Sequence, residues 1–289
     1  MKILVTGSTG QLGHEVVRFL KADGNNVTGV SSRELDFCHP ERVKAWVSKF
    51  KADWVVNCAA YTHVDMAEQE PDKAFLINHD ATAALAEGVI SYAGHLLHIS
   101  TDFIFDGRQS HPYSEDDLPA PMNVYGESKL AGEQAVLDLL PEAIILRTAW
   151  VYGGHGNNFV KTMLKFAAER NEIQVIDDQL GSPTWTWDIA EAICTLINSN
   201  ASGIYNFTNE GVASWYDLAS EVIAVSRQLG YQVKASHVRP IPACDYKTLA
   251  TRPVYSVLSK RKIRAALKYN IPHWRESLRK MLTQLRKTK

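Results

Sequence analysis

Met1-Lys2-Ile3-Leu4-Val5-Thr6-Gly7-Ser8-Thr9-Gly10-Gln11-Leu12-Gly13 opens the chain. Residues 3–6 form a short apolar, β-branched run, as in a buried strand. Residues 11–22 place Leu12, Val16, Phe19 and Leu20 at helical spacing. The glycines between them follow a Gly-x-x-Gly-x-x-Gly pattern. Gly7 permits a tight turn, Gly10 lets backbone approach a pyrophosphate, and Gly13 lets the helix pack close to the strand. The N–H groups of the helix start then face the phosphates. Strand, glycine turn and helix in that order predict a dinucleotide-binding βα unit.

The alternation continues outward from this unit. Strands are predicted over 26–30, 54–56, 96–99, 143–146 and 173–176. Helices are predicted over 40–50, 71–92, 124–140 and 158–170. Short apolar strands separated by amphipathic helices imply an α/β fold, a doubly wound parallel sheet of Rossmann type. The right-handed crossover rule puts the loops after strands one, three, four and five on one crevice. Beyond that the alternation loosens. Gly181-Ser182-Pro183-Thr184 is a turn, with helices over 187–198, 215–229 and 272–285 and a strand over 204–207. The expected organisation is a dinucleotide-binding domain at 1–150 and a smaller, partly interleaved C-terminal substrate lobe at 151–289.

Composition bounds the function classes. Apolar residues make up 45% and charged residues 22%, with a formal net charge of -1. This balance speaks against a nucleic acid or an anionic membrane as partner. The basic run Lys260-Arg261-Lys262-Ile263-Arg264 is expected to be a solvated helix face. Cys38, Cys58, Cys194 and Cys244 contain no Cys-x-x-Cys pair, so reduced thiols in a cytoplasmic protein are expected. No leader peptide and no membrane span are expected from the apolar runs. The histidines show no ligand spacing, and no metal is expected.

Strand two ends Val30-Ser31-Ser32-Arg33. A carboxylate there would hold the ribose 2′-hydroxyl of NAD. None is present at that point, and Arg33 can pair with a 2′-phosphate. Ser31 and Arg33 therefore favour NADPH, with NADH left open because Glu34 follows.

Tyr125 and Lys129 stand in Tyr-Gly-Glu-Ser-Lys on a predicted helix, one turn apart on one face. Ketone reduction needs a proton for the oxygen that hydride makes basic. An ammonium at about 4 Å and an effective dielectric of about 20 favours the phenolate by about 4 kcal/mol, roughly 3 pK units. Lys129 is thus expected to bring Tyr125 toward neutrality, and it could also hold the nicotinamide ribose. Strand four ends in Ser100-Thr101-Asp102 at the crevice edge, where Thr101 can polarise a carbonyl. Thr101, Tyr125 and Lys129 form a candidate reductase triad.

These motifs resemble the extended short-chain dehydrogenase/reductase family, and within it the dTDP-4-dehydrorhamnose reductases. The similarity is carried by Asn-Cys-Ala-Ala-Tyr-Thr-His-Val-Asp at 57–65, Ser-Thr-Asp-Phe-Ile-Phe-Asp-Gly at 100–107 and Arg-Thr-Ala-Trp-Val-Tyr-Gly at 147–153. Later segments at 156–164, 178–184 and 252–256 are the more specific. The resemblance implies reduction of the C4 ketone of dTDP-4-dehydro-L-rhamnose to dTDP-L-rhamnose. It places Gly10, Gln11 and Leu12 at the cofactor phosphates, and Asp36 and Phe37 beside the adenine. Ala60, Tyr61 and Thr62 would line the ribose and pyrophosphate. Tyr125 would donate the proton with Lys129 assisting. Thr101, Asp102, Trp150 and Asn158 would meet the nucleotide sugar.

Some relatives bridge a dimer through magnesium. Glu15 matches that pattern, but Trp187 and Gln284 stand where carboxylates would be. This argues against the ion and leaves a homodimer without that support. Phe103 stands where sugar-nucleotide dehydratases carry an acid, which disfavours dehydration. A 4-ketoreductase acting on another nucleotide-linked deoxysugar, and a 4-epimerase, which shares the triad, remain open. So does a non-catalytic module, because the chain more distantly resembles the regulatory β subunit of methionine adenosyltransferase.

Overall fold

A computed structural model of the protein describes residues 1–199 and 201–287. Residues 200, 288 and 289 of the expected second lobe lie outside the described residues. The chain begins β1 (Lys2–Thr6), α1 (Gln11–Ala22), β2 (Asn26–Val30), α2 (Pro40–Phe50) and β3 (Trp54–Asn57). A short α3 (Val64–Ala67) leads to α4 (Pro71–Phe75), a π-helical turn at Leu76–Asp80, and α5 (Ala81–Ile90). Then follow β4 (His95–Thr101), α6 (Val124–Leu139), β5 (Ile144–Thr148), β6 (Val151–Tyr152), α7 (Phe159–Glu169) and β7 (Glu172–Ile176). The remainder is β8 (Leu180–Gly181), β9 (Thr184–Trp185), α8 (Thr186–Ile197), β10 (Gly203–Asn206), β11 (Ala213–Ser214), α9 (Trp215–Gln228), β12 (His237–Ile241), α10 (Arg261–Ala266) and α11 (Trp274–Lys287).

Six parallel strands form the central sheet in the order β10-β5-β4-β3-β1-β2. Strand alternation sorts the side chains into two cores. Ile3, Val5, Val56, Leu97 and Leu146 pack under α1 and α8, whereas Leu4, Val55, Leu96 and Ile145 pack under α2, α5 and α6. Strands covered on both faces carry no polar alternation, which is why β3 and most of β5 read as continuous apolar runs. The chain reverses its winding between β1 and β3. An open α/β sheet places its ligand crevice at such a switch point.

Two expectations about elements need correction. The strand at 173–176 does not extend the central sheet. As β7 it pairs in parallel with β12, and its alternate residues are exposed, as suits a strand with one free face. The sixth strand of the sheet is β10, beside β5. The helix expected over 71–92 is also not continuous. Its π-turn turns Asn78 inward, where its amide accepts from Tyr61 N and donates to Tyr61 O and to Ser128 Oγ. Such single-turn irregularities commonly mark functional neighbourhoods. Here the turn clamps the loop after β3 to α6.

A second apolar cluster lies among α7, α9, α11, β7 and β12, with Trp274 and Leu278 fully enclosed. Residues 186–206 leave that lobe and return to the sheet as α8 and β10. All cysteines are free thiols. Among the described residues no helix is long and apolar enough to cross a membrane.

Arg147 of β5 and Glu133 of α6 form a buried ion pair, with Arg147 Nη2 2.8 Å from Glu133 Oε2 and Nε 3.1 Å from Oε1. Removing one partner leaves the other charge uncompensated. Arg147→Leu is expected to cost about 3–5 kcal/mol of stability, read from the midpoint of urea unfolding.

Candidate active site

The glycine turn leaves β1 with Gly7 at φ +64°, in the left-handed region. Gly10 N donates to Gly7 O at 2.9 Å, which closes the turn. A Cβ on Gly13 would lie 2.2 Å from Gly7 O, so only glycine lets α1 approach the strand this closely. Gly10 caps α1 without a side-chain hydrogen bond, so the first-turn N–H groups stay available to an anion. The turn forms one end of a cavity of about 860 Å³ that runs along the strand C-termini to the second lobe.

Gly7, Gly10, Gln11, Leu12 and Gly13 all line this cavity, as do Asp36, Phe37, Ala60 and Thr62. Asp36 accepts from Cys38 N at 2.9 Å, and that bond holds its carboxyl below the ordinary value. Ser31, Arg33 and Tyr61 are not on the cavity wall. The Ser31 hydroxyl and N–H both donate to Glu34 Oε2 at 2.7 Å, which commits Ser31 to that carboxylate. Arg33 is exposed, and Ser32 provides the wall between them. The Tyr61 ring turns to Ala67 and Ala74, and its hydroxyl donates to Glu70 Oε2 at 2.7 Å.

The other end of the cavity holds Thr101, Asp102, Tyr125, Lys129, Trp150 and Asn158. Asn123 caps α6 by accepting from Gly126 N at 2.8 Å, and its amide donates to Thr251 O. Gly126 rests directly on the turn after β4, where a Cβ would lie 2.2 Å from Phe103 O. This contact brings Tyr125 to the end of β4, with Phe103 edge-on to its ring at 5.5 Å. Burial pushes the Tyr125 phenol up to about 12, although a hydrogen bond with Thr101 opposes the rise. Tyr125 therefore keeps its proton at neutral pH. The same burial lowers the Lys129 ammonium to about 8, against the opposing pull of Glu133, so the lysine stays mostly charged at neutral pH.

Three buried polar atoms at the strand ends have no hydrogen-bond partner: Ser100 Oγ, Asp102 Oδ2 and Thr148 Oγ1. Their residues line the cavity. Unpaired buried groups are costly, so this end suits a ligand rich in hydroxyls. Burial pushes Asp102 up to about 6. Trp150 is one of three non-glycine residues with positive φ among the described residues, at 48°, and stacks on Trp215 with ring centroids 3.5 Å apart. Asn158 caps α7 by accepting from Lys161 N and donates to Gln11 Oε1 at 2.8 Å, which joins the second lobe to the glycine turn.

The sequence reading passed over Trp215 and Arg252, which also line the cavity. Arg252 is held by Asp65 through Nη1 at 3.1 Å and Nη2 at 2.6 Å, across 187 residues. The Arg-Pro-Val-Tyr-Ser motif at 252–256 was the available signal. Glu15 pairs with Arg18 at 3.2 Å, and the Arg18 guanidinium lies on the Trp187 ring. The position offers no second carboxylate, and the residues do not fit a bridging magnesium ion. Among the described residues no group of three or more His, Cys, Asp or Glu is placed to hold a metal.

A glycine cradle at a switch point, with a tyrosine and a buried lysine at the far end of one crevice, defines a dinucleotide-dependent reductase fold. The chain matches the family described as RmlD substrate binding domain over residues 1–287, and it belongs to that family. It is 39% identical over 293 residues to a dTDP-4-dehydrorhamnose reductase of Escherichia coli, covering 99% of this chain and 98% of that protein. It is 41% identical over 281 residues to a probable dTDP-4,6-dihydroxy-2-methyloxan-3-one 4-ketoreductase of Streptomyces antibioticus, covering 96% and 94%. A crystal structure of a Bacillus anthracis dTDP-4-dehydrorhamnose reductase in complex with NADP superposes with a TM-score of 0.93 at 35% identity, covering 98% of this chain and 100% of that one.

Gly13→Ala places its Cβ against Gly7 O and should push α1 off the cradle. Dinucleotide affinity is expected to fall at least about tenfold, roughly 1.4 kcal/mol, as measured by NADPH fluorescence titration.

Proposed function

We propose that the protein reduces the C4 ketone of dTDP-4-dehydro-L-rhamnose to dTDP-L-rhamnose with NADPH. The observation that carries this reading is the placement of Thr101, Tyr125 and Lys129 at one end of a crevice whose other end is the glycine cradle. The names of the relatives point to the same reaction. The NADP in the Bacillus anthracis structure favours the phosphorylated dinucleotide.

The residues present fit a dinucleotide: the cradle has no Cβ in the way, and the start of α1 is uncapped by side chains. The dihydronicotinamide, when bound, supplies the hydride. Tyr125 remains protonated at neutral pH and gives its proton to the C4 oxygen. The Thr101 hydroxyl polarises the carbonyl. Asp102 Oδ2, Ser100 Oγ and Thr148 Oγ1 take hydroxyl groups of the sugar, which relieves their unpaired burial. Trp150 and Trp215 form an aromatic wall beside it, and Asn158 fixes the lobe that carries Trp215 against the glycine turn. Ser32 and Arg33 flank the end of β2, where a 2′-phosphate would sit.

Incubation with NADPH and dTDP-4-dehydro-L-rhamnose should oxidise one NADPH per sugar and give dTDP-L-rhamnose, identified by mass and NMR. An epimerase would return the hydride and consume no NADPH, and a regulatory module would leave the sugar unchanged. Either result overturns the proposal. Tyr125→Phe should lower kcat by about a hundredfold or more while NADPH affinity stays within about twofold. A near-normal rate removes Tyr125 as the acid.

A further inference from the structure

The chain between β6 and α7, Gly153-Gly154-His155-Gly156-Asn157, runs as a strap past the glycine turn. His155 is exposed, and its Nε2 lies 3.0 Å from Thr9 O. A carbonyl only accepts, so Nε2 carries a proton and donates it to that bond. Asn158, at the end of the strap, donates to Gly153 O and to Gln11 Oε1, both at 2.8 Å. Gly156 sits at φ +71°, and a Cβ there would lie 2.9 Å from Gln11 Cγ. The strap thus rests on Thr9 and Gln11 of the cradle. Gly156 and Asn157 line the crevice together with Gly10 and Gln11, so the strap is part of the wall around the dinucleotide site.

A second contact backs the first. The His14 ring of α1 stacks on the His155 ring, with centroids 4.1 Å apart and planes 7° apart. Neutral imidazoles stack without penalty, but two imidazolium rings at this distance repel. His14 has a further reason to stay uncharged. Its Nδ1 is buried and has no hydrogen-bond partner, with Glu15 Oε1 3.9 Å away. A proton there would be a charged donor with nothing to receive it, which is costly. The surrounding groups supply no free counter-charge. Glu15 favours an imidazolium but pairs with Arg18 at 3.2 Å, and Arg18 itself disfavours one. Lys161 of α7 donates to the Gly154 and Gly156 carbonyls and adds a cation on the strap side. Trp187 of α8, under the Arg18 guanidinium, carries no charge. Burial and His155 accordingly hold His14 below the ordinary histidine value.

We propose that His14 and His155 form an acid-released latch on the dinucleotide site: the stacked, uncharged pair holds the strap against the cradle, and charging the pair lets the strap lift. A dinucleotide seated on the cradle then leaves faster, because one wall of its site has opened. The direction follows from linkage. His14 takes up its proton at lower pH in the latched form than in the open one. Closure is therefore complete above the ordinary histidine value of about 6.5 and is lost as pH falls below it. Neither histidine lies on the crevice wall itself. His155 acts through Thr9 and the strap, and is a positioning residue for the dinucleotide. The inference rests on dinucleotide binding and not on which sugar is reduced.

The test follows release of bound NADPH, without sugar, by stopped-flow fluorescence after displacement with excess NADP⁺. The 2′-phosphate of NADPH also titrates in the acid range, so release is read against His14→Phe. That variant keeps a ring in the stack but cannot charge. The two proteins should release NADPH at rates within about twofold at about pH 8, and wild type should be about fivefold to tenfold faster at about pH 5.5. His155→Ala removes both the stack and the bond to Thr9 O. It should release NADPH about fivefold faster than wild type at about pH 8. Its urea-unfolding midpoint should stay close to wild type, because His155 is exposed. Equal release by wild type and His14→Phe at the lower pH overturns the latch, as does a folded His155→Ala with the wild-type rate at the higher pH. A folded wild type that binds no NADPH overturns the dinucleotide reading and the latch together. Absence of sugar reduction with the expected release rates overturns the proposed reaction and leaves the latch standing.

Discussion

The side chain of Asn57 meets Thr6 on one side and His98 on the other, while its oxygen receives the N–H of Ala59. β1 and β3 end at that amide, β4 runs past it, and the loop leaving β3 turns over it. Register among parallel strands is set by apolar packing on both faces, but packing alone does not decide which polar atoms meet at the strand ends. One amide with two kinds of hydrogen-bonding atom does. The cradle after β1, the loop carrying Ala60 and Thr62, and the lysine below β4 all take their positions from strands that meet there.

Burial governs the chemistry of the site more than proximity of charge does. Lys129, His98 and Asp102 lie out of water and Tyr125 is half-buried, and each is moved toward its neutral form. The buried charge nearby, Glu133, is answered by Arg147 in a separate pair. Desolvation of this kind suits a reaction that moves one proton and one hydride onto a carbonyl. The unpaired Ser100, Asp102 and Thr148 atoms supply polarity without fixed charge at the same place.

Much of this was legible in the sequence because its signals are local. The glycine turn, the strand periods and the four-residue spacing of Tyr125 and Lys129 each depend on a few neighbouring positions. Their convergence follows from the crossover rule. What was not legible depends on distant contacts or on direction. Arg252 reaches Asp65 across 187 residues. Tyr61 sits in a motif whose backbone passes the crevice, yet Glu70 takes its hydroxyl away from it. The π-turn at Asn78 leaves no periodicity signal, because a single inserted residue only shifts the phase of an alanine-rich helix. The influence of Lys129 on Tyr125 was argued from distance and charge alone, whereas burial, which pushes the phenol up, depends on contacts that the sequence does not print.

Trp150 follows the last residues of β5, and Trp215 begins α9 in the second lobe; their rings lie parallel within 3°. Trp150 holds this pose at a backbone angle that side chains other than glycine rarely adopt. A strained residue on a rigid strand end, pressed against the first residue of a helix, acts as a gauge between the two bodies. Any opening of the lobes must slide one indole over the other and alter their shared ultraviolet absorption and emission. The stacked pair would thus report optically on any change in the spacing of the two elements that carry it, from within the wall of the crevice.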